Sequence, residues 1–483
     1  MSEFSERCKE YIHLSGTNVY QIAQLSNLDR TSLQRMVTGK RLPGIKFVKE
    51  FCNYLKINQL EKEELLELYQ IETLGKETYY NRRCIHKLLE YVNMAVTFSG
   101  DKKEELVSKL LVGNTMLIPV ETEKAIDKFL RQCFFDQAST ELYTNFPPNQ
   151  AAIYQIMLRI AEQFDGLPII RHLFAIQKNP VLFSEESMNL NIFFNTLSFA
   201  LCGYDSYYPY FYYSNSSSRD DIYDLYPYYL ICESSVLLIT SDFSGSILLE
   251  EKEIVRSYLE EFRRKQQIAV PFFQQTVDAG QVLNSYCTVA EKKGTLGAYI
   301  LEPHPCIVML FPEKEVLINT YEESAFSSDI VKALHRIFQM EDVIGEKKEE
   351  VTCYFPIGGL RNFVENGMLE GPYSYHQRPI NVKQRKEIIQ QLLDTHMFHG
   401  GCRMLKENFF SSVSIHMELF QDHSLFFCSL LEEEKFFSVK IQEHSIGQAF
   451  YDYFESLEKS ENCVYSTEES EKILKEMLKR CSR

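Results

Sequence analysis

Apolar side chains in the first 72 residues recur every three to four positions, which is the spacing of one face of an α-helix. Phe4, Cys8, Tyr11 and Ile12 form the first such row, and a polar break over residues 15–18 follows it. The later rows predict helices over residues 19–25, 30–38, 45–55 and 59–71. We therefore expect an all-α domain of five helices over residues 1–72.

The connection between the second and third predicted helices is short. Asn27 can adopt a left-handed backbone conformation at low cost, which predicts a tight turn at this position. Asp29 is a good N-cap for the third helix, because its carboxylate can accept hydrogen bonds from free backbone N–H groups. Gly39 is a typical residue to end that helix.

The third helix is predicted to have one apolar face and one polar face. Leu33, Met36 and Val37 share the face that would pack against the core. The opposite face carries side chains that can hydrogen-bond a base edge or a phosphate oxygen. These side chains are Arg30, Thr31, Gln34 and Arg35, with Ser32 at the edge. Two short helices joined by a tight turn, with the second polar on its outside, fit the major groove of DNA.

Residues 22–43 resemble the phage-repressor-like helix-turn-helix family, of the Cro/cI or xenobiotic-response-element type. The matching features are an apolar residue followed by Ala23, an apolar residue at Leu33, Arg35, and Gly-Lys-Arg-Leu-Pro at residues 39–43. The resemblance extends over residues 1–72 only. It implies that DNA bases are contacted by Arg30, Thr31, Ser32, Gln34 and Arg35, and phosphates by Asn18, Lys40, Arg41 and Lys46.

Two positions depart from the family pattern. Val19 stands where the family often has glutamine, so one phosphate or base contact would be missing. Asp29 replaces the commoner serine or threonine and places a negative charge near the DNA backbone. The alternative interpretation is a degenerate helical domain used for contacts with proteins.

The charge is distributed unevenly along the chain. Residues 1–72 contain as many basic as acidic side chains, so the net charge of −16 arises from the rest of the sequence. The stretch from Arg30 to Lys56, by contrast, contains several basic residues and a single acidic one, Glu50. A basic stretch on an acidic chain favours binding of a polyanion, although a solvated helix face would show the same charges.

The remainder of the chain is predicted to combine helices with strands. Residues 73–81 are interpreted as a hinge and residues 82–200 as a mainly helical region, with strands at 116–119 and 167–170 as an option. Beyond residue 200, apolar runs alternate with helices. This pattern predicts an α+β or α/β sensor and dimerisation region over residues 201–345 and a second such region over 346–483.

Three segments beyond residue 200 share one apolar spacing, with large apolar residues at positions i, i+4 and i+8. They are residues 254–262, 330–338 and 446–454. Each follows two strand-like runs, and for the second segment these runs are residues 307–311 and 316–319. The pattern predicts three copies of a strand–hairpin–helix unit, although amphipathic helices also resemble one another by chance.

No common catalytic motif occurs in the sequence. It has no G-x-x-x-x-G-K-[ST] loop, no G-x-G-x-x-G and no G-x-S-x-G. His396, His399 and Cys402 could ligate zinc, but Gly400 and Gly401 break the helix that would align them, and a fourth ligand is missing. We therefore predict no metal, no cofactor and no catalytic residue.

Tyrosines cluster between residues 204 and 229. Tyrosine combines a broad apolar ring with a hydroxyl group, which suits a ligand pocket or a partner surface. A strand pair with aromatic cross-strand packing would produce the same pattern. The candidate surface consists of Tyr207, Tyr208, Tyr210, Tyr212 and Tyr213.

Composition places the chain among folded proteins, since 45% of its residues are hydrophobic and 24% are charged. It has neither an apolar run of about 18 residues nor a start typical of a signal peptide, so we expect no membrane partner. The 13 cysteines are scattered singly, which favours reduced thiols and a cytoplasmic location.

Two functions from different classes fit these patterns. The main prediction is a sequence-specific DNA-binding transcriptional regulator whose acidic C-terminal region dimerises and senses a signal, such as a small molecule or peptide. Its partners would be double-stranded DNA and a second copy of the chain, as a homodimer. The alternative is an enzyme or toxin-like effector with an N-terminal DNA-binding or self-regulating head.

Overall fold

The computed structural model combines N-terminal helices with later strands and separates into two compact units. One unit is built on residues 1–83, and the other on residues 84–181 and 188–483. The residues described are 2–97, 118–135, 141–161, 163, 168–177, 188–201, 206–214, 225–276, 281, 287–288, 298–305, 314–321, 325–344, 351–370, 377–396, 401–410, 412–432, 435–458 and 460–481.

The five helices predicted for the N-terminal unit are present. They are α1 (Glu3–Leu14), α2 (Val19–Leu25), α3 (Arg30–Val37), α4 (Ile45–Leu55) and α5 (Gln59–Leu74). A sixth helix, α6 (Lys76–Thr97), begins after Gly75, whose φ of 84° lies in the left-handed region. Residues 73–81, predicted as a hinge, are therefore helical on both sides of this glycine.

The apolar rows of these helices meet in one core. Ile22, Leu33, Val48, Phe51 and Leu65 are completely buried. Met36 and Val37 are also buried, so α3 turns its predicted apolar face to the core. This packing leaves the other face of α3 on the surface.

Ser26, and not Asn27, closes the turn between α2 and α3. The prediction of a left-handed Asn27 is wrong, because the described non-glycine residues with positive φ are Lys56, Phe243 and His423. The Ser26 hydroxyl donates to the carbonyl of Ile22 at 2.6 Å and accepts from the backbone N–H of Leu28 at 3.2 Å. These two bonds reverse the chain without a left-handed residue.

The second unit contains two sheets. The first has the strand order β6-β5-β4-β1-β2-β3-β7, in which β1 to β3 are parallel and β4 to β6 form an antiparallel meander beside β1. Its strands are β1 (Glu141–Thr144), β2 (Ile169–Gln177), β3 (Tyr207–Ser214), β4 (Tyr228–Ile231), β5 (Val236–Ile239), β6 (Ser246–Leu249) and β7 (Val270–Pro271).

The second sheet has the order β11-β10-β9-β12-β13-β14-β8, which repeats six strands of the first sheet. The seventh strand differs, because β8 lies beside the meander strand β14 whereas β7 lies beside the parallel strand β3. Strands β9 to β11 are parallel, and β12 to β14 form the antiparallel meander beside β9. Its strands are β8 (Phe273–Thr276), β9 (Tyr299–Leu301), β10 (Thr352–Pro356), β11 (Cys402–Leu405), β12 (Ile415–Leu419), β13 (Leu425–Glu432) and β14 (Lys435–Ile441).

Helices connect the parallel strands and cover both sheets, as parallel pairing requires long crossovers. They are α7 (Val120–Phe135), α8 (Ala151–Ala161), α9 (Met188–Leu201), α10 (Lys252–Ile268), α11 (Lys314–Ile318), α12 (Ala325–Ile344), α13 (Ile357–Asn366), α14 (Val382–Gln391), α15 (His444–Glu458) and α16 (Thr467–Arg480). A π-helical turn, Leu392–His396, follows α14. Among the described helices, none is both long and apolar enough to cross a bilayer.

The region beyond α6 is richer in strands than predicted. It contains β1 and β2 within the segment predicted as mainly helical, and β2 begins inside the optional strand at residues 167–170. Of the three predicted strand–hairpin–helix units, the first and third have paired strands followed by α10 and α15. In the second, the strand predicted at 316–319 is wrong because these residues fall largely in α11, and residues 307–311 lie outside the described residues.

Candidate functional site

The outward side of α3 carries the polar residues that the sequence singled out, and we call it the α3 face. Arg30, Thr31, Gln34 and Arg35 are exposed and Ser32 is half-buried. The four side chains proposed for phosphate contacts are also exposed; they are Asn18, Lys40, Arg41 and Lys46. All nine therefore lie within residues 18–46 of the N-terminal unit.

The first turn of α3 is fixed by its cap. The Asp29 carboxylate accepts from the backbone N–H of Ser32 at 2.7 Å, as the sequence predicted for an N-cap. Hydrogen bonds from Ser32 lower the pKa of Asp29, so the carboxylate stays ionised at neutral pH. Its charge is directed at the helix N-terminus, and this position orients Arg30 and Thr31 at the start of the α3 face.

The loop after α3 folds back onto the end of the helix. The backbone N–H groups of Lys40 and Arg41 donate to the carbonyl of Arg35 at 2.9 and 3.4 Å. Gly39, with a φ of 68°, permits this reversal. The two basic side chains therefore begin beside the last turn of α3, next to Arg35.

Tyr20 is a residue of this surface that the sequence reasoning missed. The Arg30 guanidinium lies over its ring at 5.2 Å from the centroid, and the ring is 57% exposed. This cation–π contact links the outer sides of α2 and α3. The available signal was an aromatic residue on the polar side of α2, outside the apolar row.

Ion pairing differs between two groups of basic side chains in the N-terminal unit. Arg7 pairs with Glu10 and Glu64, Lys76 with Glu3 at 2.9 Å, and Arg83 with Glu67. The second group forms no ion pair within the described residues 2–97. It consists of Arg30, Arg35, Lys40, Arg41, Lys46 and Lys49. The second group therefore carries positive charge that is not held in ion pairs within the described residues 2–97.

The candidate tyrosine surface is divided by the alternation of β3. Tyr207 is buried, and its hydroxyl contacts His172 Nδ1 at 2.9 Å and the Tyr154 hydroxyl at 3.1 Å. Tyr208, Tyr212 and Tyr213 are exposed, and Tyr210 is half-buried. The Tyr213 hydroxyl donates to Glu443 Oε1 at 3.1 Å, and burial together with this carboxylate raises the pKa of Tyr213 to about 12. Tyr207 is thus part of the core, in contrast to the other four.

The residues weighed as zinc ligands are not brought together in the described chain. Cys402 is buried on β11, where it lies opposite Cys353 of the neighbouring strand β10 in the strand register. His399 lies outside the described residues. Among the residues that are described, no group of three histidine, cysteine, aspartate or glutamate side chains could hold a metal ion.

A second polar site, which sequence reasoning missed, lies within the second sheet. His416 of β12 stands between two carboxylates: its Nδ1 is 3.1 Å from Glu302 Oε1, and its Nε2 is 3.4 Å from Glu418 Oε1. All three side chains are at least nine-tenths buried. We call Glu302, His416 and Glu418 the acid–histidine cluster.

The cluster holds a proton in an apolar environment. Burial lowers the pKa of His416, but the two carboxylates outweigh this effect and raise it to about 10. Cys353 adds a thiol that donates towards Glu302 Oε2 at 4.0 Å.

A further histidine, His304, lies shortly beyond the carboxyl end of β9, two residues after Glu302. His304 is buried; its Nδ1 donates to the carbonyl of Pro305 at 2.9 Å, and its Nε2 has no hydrogen-bond partner among the described residues. The start of α13 packs tightly against this segment, because a Cβ on Gly359 would lie 1.7 Å from the Pro303 carbonyl oxygen. A basic nitrogen and a buried acid thus lie at the carboxyl ends of β9 and β10, where open α/β sheets commonly bind ligands.

No family model and no curated protein matches the chain. Among solved structures, polyphosphate kinase from Porphyromonas gingivalis matches with a TM-score of 0.21 and 10% identity, covering 71% of this chain and 46% of that one. The match therefore spans less than half of the kinase. None of these comparisons supports the prediction of a transcriptional regulator, which we correct to its alternative, an enzyme or effector. At this TM-score, the match assigns no activity, substrate or residue role to this chain.

Proposed function

We propose that the N-terminal unit is a helix-turn-helix head that binds double-stranded DNA, carried by a chain whose α/β unit belongs to the enzyme or effector class. The observation that supports this proposal most is the α3 face. It is exposed, polar and bordered by basic side chains that form no ion pair within the described residues 2–97. An exposed basic helix of this kind is suited to the negatively charged major groove.

The roles within the head follow from side-chain chemistry. Arg35 and Gln34 end in planar groups that can form two hydrogen bonds to one base edge, so we assign them to base contacts together with Arg30, Thr31 and Ser32. Lys40, Arg41 and Lys46 lie beyond α3, where a duplex backbone would pass, and we assign them with Asn18 to phosphates. The Asp29 charge is engaged by the helix cap, which limits its repulsion of the backbone.

The test uses the full chain and a random-sequence duplex library. Selection and sequencing should yield a preferred site, and affinities are then measured on that site and on an unrelated duplex. Arg35→Ala should cost about 1–3 kcal/mol on the preferred site and relax the base preference at one position. Lys40→Ala should weaken binding to both duplexes equally and lower the salt slope by about one.

Lys76→Ala is the matched control, because Lys76 belongs to the same unit and pairs with Glu3. We expect its affinity and salt slope to equal those of the native chain. Failure to select any site, together with unchanged nonspecific affinity in Lys40→Ala, would exclude the DNA-binding head.

We further propose that two copies of the chain act together on DNA. A single helix-turn-helix head buries little surface, and pairing of two heads is the usual remedy for weak binding. Two α3 helices about 34 Å apart would lie in successive major grooves. The selected site should then contain two half-sites, and mass photometry of the complex should show two chains per duplex.

Catalysis in the α/β unit is a second candidate function, and the carboxyl ends of β9 and β10 favour it. Nε2 of His304 has no hydrogen-bond partner among the described residues and is available to exchange a proton, and Glu302 lies two residues away beside His416. A panel of p-nitrophenyl carboxylate and phosphate esters is a direct probe. Any turnover from this site should disappear in His304→Ala and persist in His172→Phe, because His172 lies in the other sheet.

A further inference from the structure

Two histidines of the second unit face each other at the surface, although they are 21 positions apart in the sequence. His423 lies in the turn between β12 and β13, and His444 is the first residue of α15. Their Nδ1 atoms are 3.4 Å apart, and their ring centroids are 4.9 Å apart. His423 is half-buried and His444 is exposed, so solvent reaches both rings. We call these two residues the histidine pair.

The turn between β12 and β13 holds His423 in a strained backbone conformation. The backbone N–H of His423 donates to the carbonyl of Phe420 at 2.9 Å, and that of Phe420 donates to the carbonyl of Ser424 at 3.0 Å. The φ of His423 is 62°, in the left-handed region that is uncommon for residues other than glycine. Such strain persists only where the surrounding structure enforces it, and it is often found at functional sites.

One side of α15 packs against this turn. His444, Gly447 and Tyr451 lie at positions i, i+3 and i+7 of the helix, which places them on the same side. A Cβ on Gly447 would lie 1.7 Å from the carbonyl oxygen of His423, so only glycine permits this close approach. The rings of Tyr451 and His423 meet edge to face, with 5.2 Å between their centroids. Tight packing of a helix on a turn therefore brings the two imidazoles together.

The carboxylates next to the histidine pair are engaged in fixing these two elements. Asp422 accepts from the backbone N–H and the hydroxyl of Ser424 at 3.1 and 2.8 Å. Glu443 accepts from the backbone N–H of Ile446 at 2.9 Å and from the hydroxyl of Tyr213 at 3.1 Å. Within the described part of the chain, no third histidine, cysteine, aspartate or glutamate completes a set of three metal ligands here. The protein therefore offers two ligands, both of them imidazoles.

The separation of the two ring nitrogens matches that of two ligands on one metal ion. Two N–H groups cannot point at each other at this distance, so at least one Nδ1 presents a lone pair to the other. Zinc–nitrogen bonds and tetrahedral angles place two ligand nitrogens about 3.4 Å apart. Imidazole suits Zn²⁺, Ni²⁺ and Cu²⁺, whereas Mg²⁺ and Ca²⁺ prefer oxygen ligands.

We propose that the histidine pair binds a divalent cation of the zinc class through its two Nδ1 atoms, with water in the remaining positions. Each neutral ring then carries its proton on Nε2 and presents the Nδ1 lone pair to the cation. The bound cation connects the β12–β13 turn to α15 and stabilises their contact. Leu419, just before this turn, pairs with Tyr299 at the start of β9, so the site lies at the other end of that strand from His304.

The experiment titrates the full chain with Zn²⁺ by calorimetry at neutral pH, after treatment with EDTA and desalting. His423→Asn and His444→Gln should each weaken one equivalent of zinc binding at least about tenfold, since even an outer-shell partner is commonly worth that much. Asparagine tolerates the left-handed conformation, so His423→Asn should keep the turn. Zn²⁺ should raise the melting temperature of the native chain more than that of either variant, and Mg²⁺ should raise none of them.

His335→Gln is the matched control, because His335 is an exposed histidine of the same unit whose Nδ1 bonds to the Val331 carbonyl at 2.9 Å. Its zinc binding should equal that of the native chain. The double variant of His423 and His444 should lose the same single equivalent as each single variant, because both imidazoles hold one ion. Zinc binding that is unchanged in the single variants would overturn the proposal. Loss of two separate equivalents in the double variant would overturn the shared site.

Discussion

The two sheets of the second unit share the order of six strands, and a strand of each carries a buried histidine, but these two histidines carry different charge states. His172 of β2 donates through Nε2 to the Phe146 carbonyl at 2.6 Å and accepts at Nδ1 from the hydroxyls of Tyr207 and Tyr154. All of these partners are neutral. Burial therefore dominates and lowers the pKa of His172 to about 3.

His416 of β12 is equally buried, yet its pKa is raised to about 10 because its partners are Glu302 and Glu418. The comparison shows that the ionisation of a buried imidazole is decided by its neighbours and not by the depth of its burial. The histidine of the first sheet, His172, is therefore an uncharged polar residue of the core. The second sheet contains an ion cluster that is costly to break.

The largest expected effect is that of His416→Leu. This change leaves two buried carboxylates without their cation, and we expect a loss of about 3–5 kcal/mol in the free energy of unfolding. Urea denaturation followed by circular dichroism measures it. A smaller loss for His416→Leu than for His172→Leu, the corresponding change in the first sheet, would show that the acid–histidine cluster contributes little to the free energy of unfolding.

The same change in the first sheet, His172→Leu, is the matched comparison. Its partners are a carbonyl and two hydroxyls, so we expect a smaller loss of about 1–3 kcal/mol from unsatisfied buried polar groups. Measured under identical conditions, equal losses for His172→Leu and His416→Leu would remove the distinction between the two sheets.

Stability should depend on pH in opposite directions for the two histidines. The folded pKa of His416 lies above the unfolded value, so its contribution is complete below about pH 6.5 and is lost as pH rises towards 10. The folded pKa of His172 lies below the unfolded value, so its contribution is present above about pH 6.5 and is lost as pH falls towards 3.

Each slope should reach about 1.4 kcal/mol per pH unit inside its window. At each pH, the unfolding free energy of His416→Leu is subtracted from that of the native chain, and the dependence of this difference on pH gives the slope due to His416 at alkaline pH. The same subtraction with His172→Leu gives the slope due to His172 at acidic pH. A difference that stays flat between pH 7 and 9 for His416→Leu would contradict the raised pKa.

The smallest effect is expected for Tyr207→Phe. The change removes one hydroxyl from His172 Nδ1, but the Tyr154 hydroxyl remains 3.2 Å from that nitrogen. We expect a loss of about 0.5–1.5 kcal/mol in the free energy of unfolding. A loss as large as that of His172→Leu would indicate that Tyr207 holds the whole network together.

The N-terminal unit was predictable in detail because its contacts are local. The apolar spacing located all five helices, and the predicted cap at Asp29 accepts the expected backbone N–H group. The turn was harder, since both Ser26 and Asn27 can reverse a chain and only the structure shows that Ser26 does so. Tyr20 was missed because its partner, Arg30, lies ten positions away on another helix.

In the second unit, prediction succeeded where neighbouring strands are also neighbours in sequence. The runs that became β4 and β5, and β13 and β14, pair as hairpins and were recognised. The strand predicted at residues 316–319 failed because a short apolar run is compatible with either a helix or a strand. The structure makes it the end of a five-residue helix.

By itself, the sequence determined the local elements of this protein: the periods of its helices, their caps, and a basic polar stretch on an acidic chain. Only the tertiary structure decided which distant residues meet, as in Glu302 beside His416. The physical reason is that helix periods and caps arise from contacts within about one turn. Strand register across a sheet, by contrast, depends on how segments more than a hundred residues apart pack together.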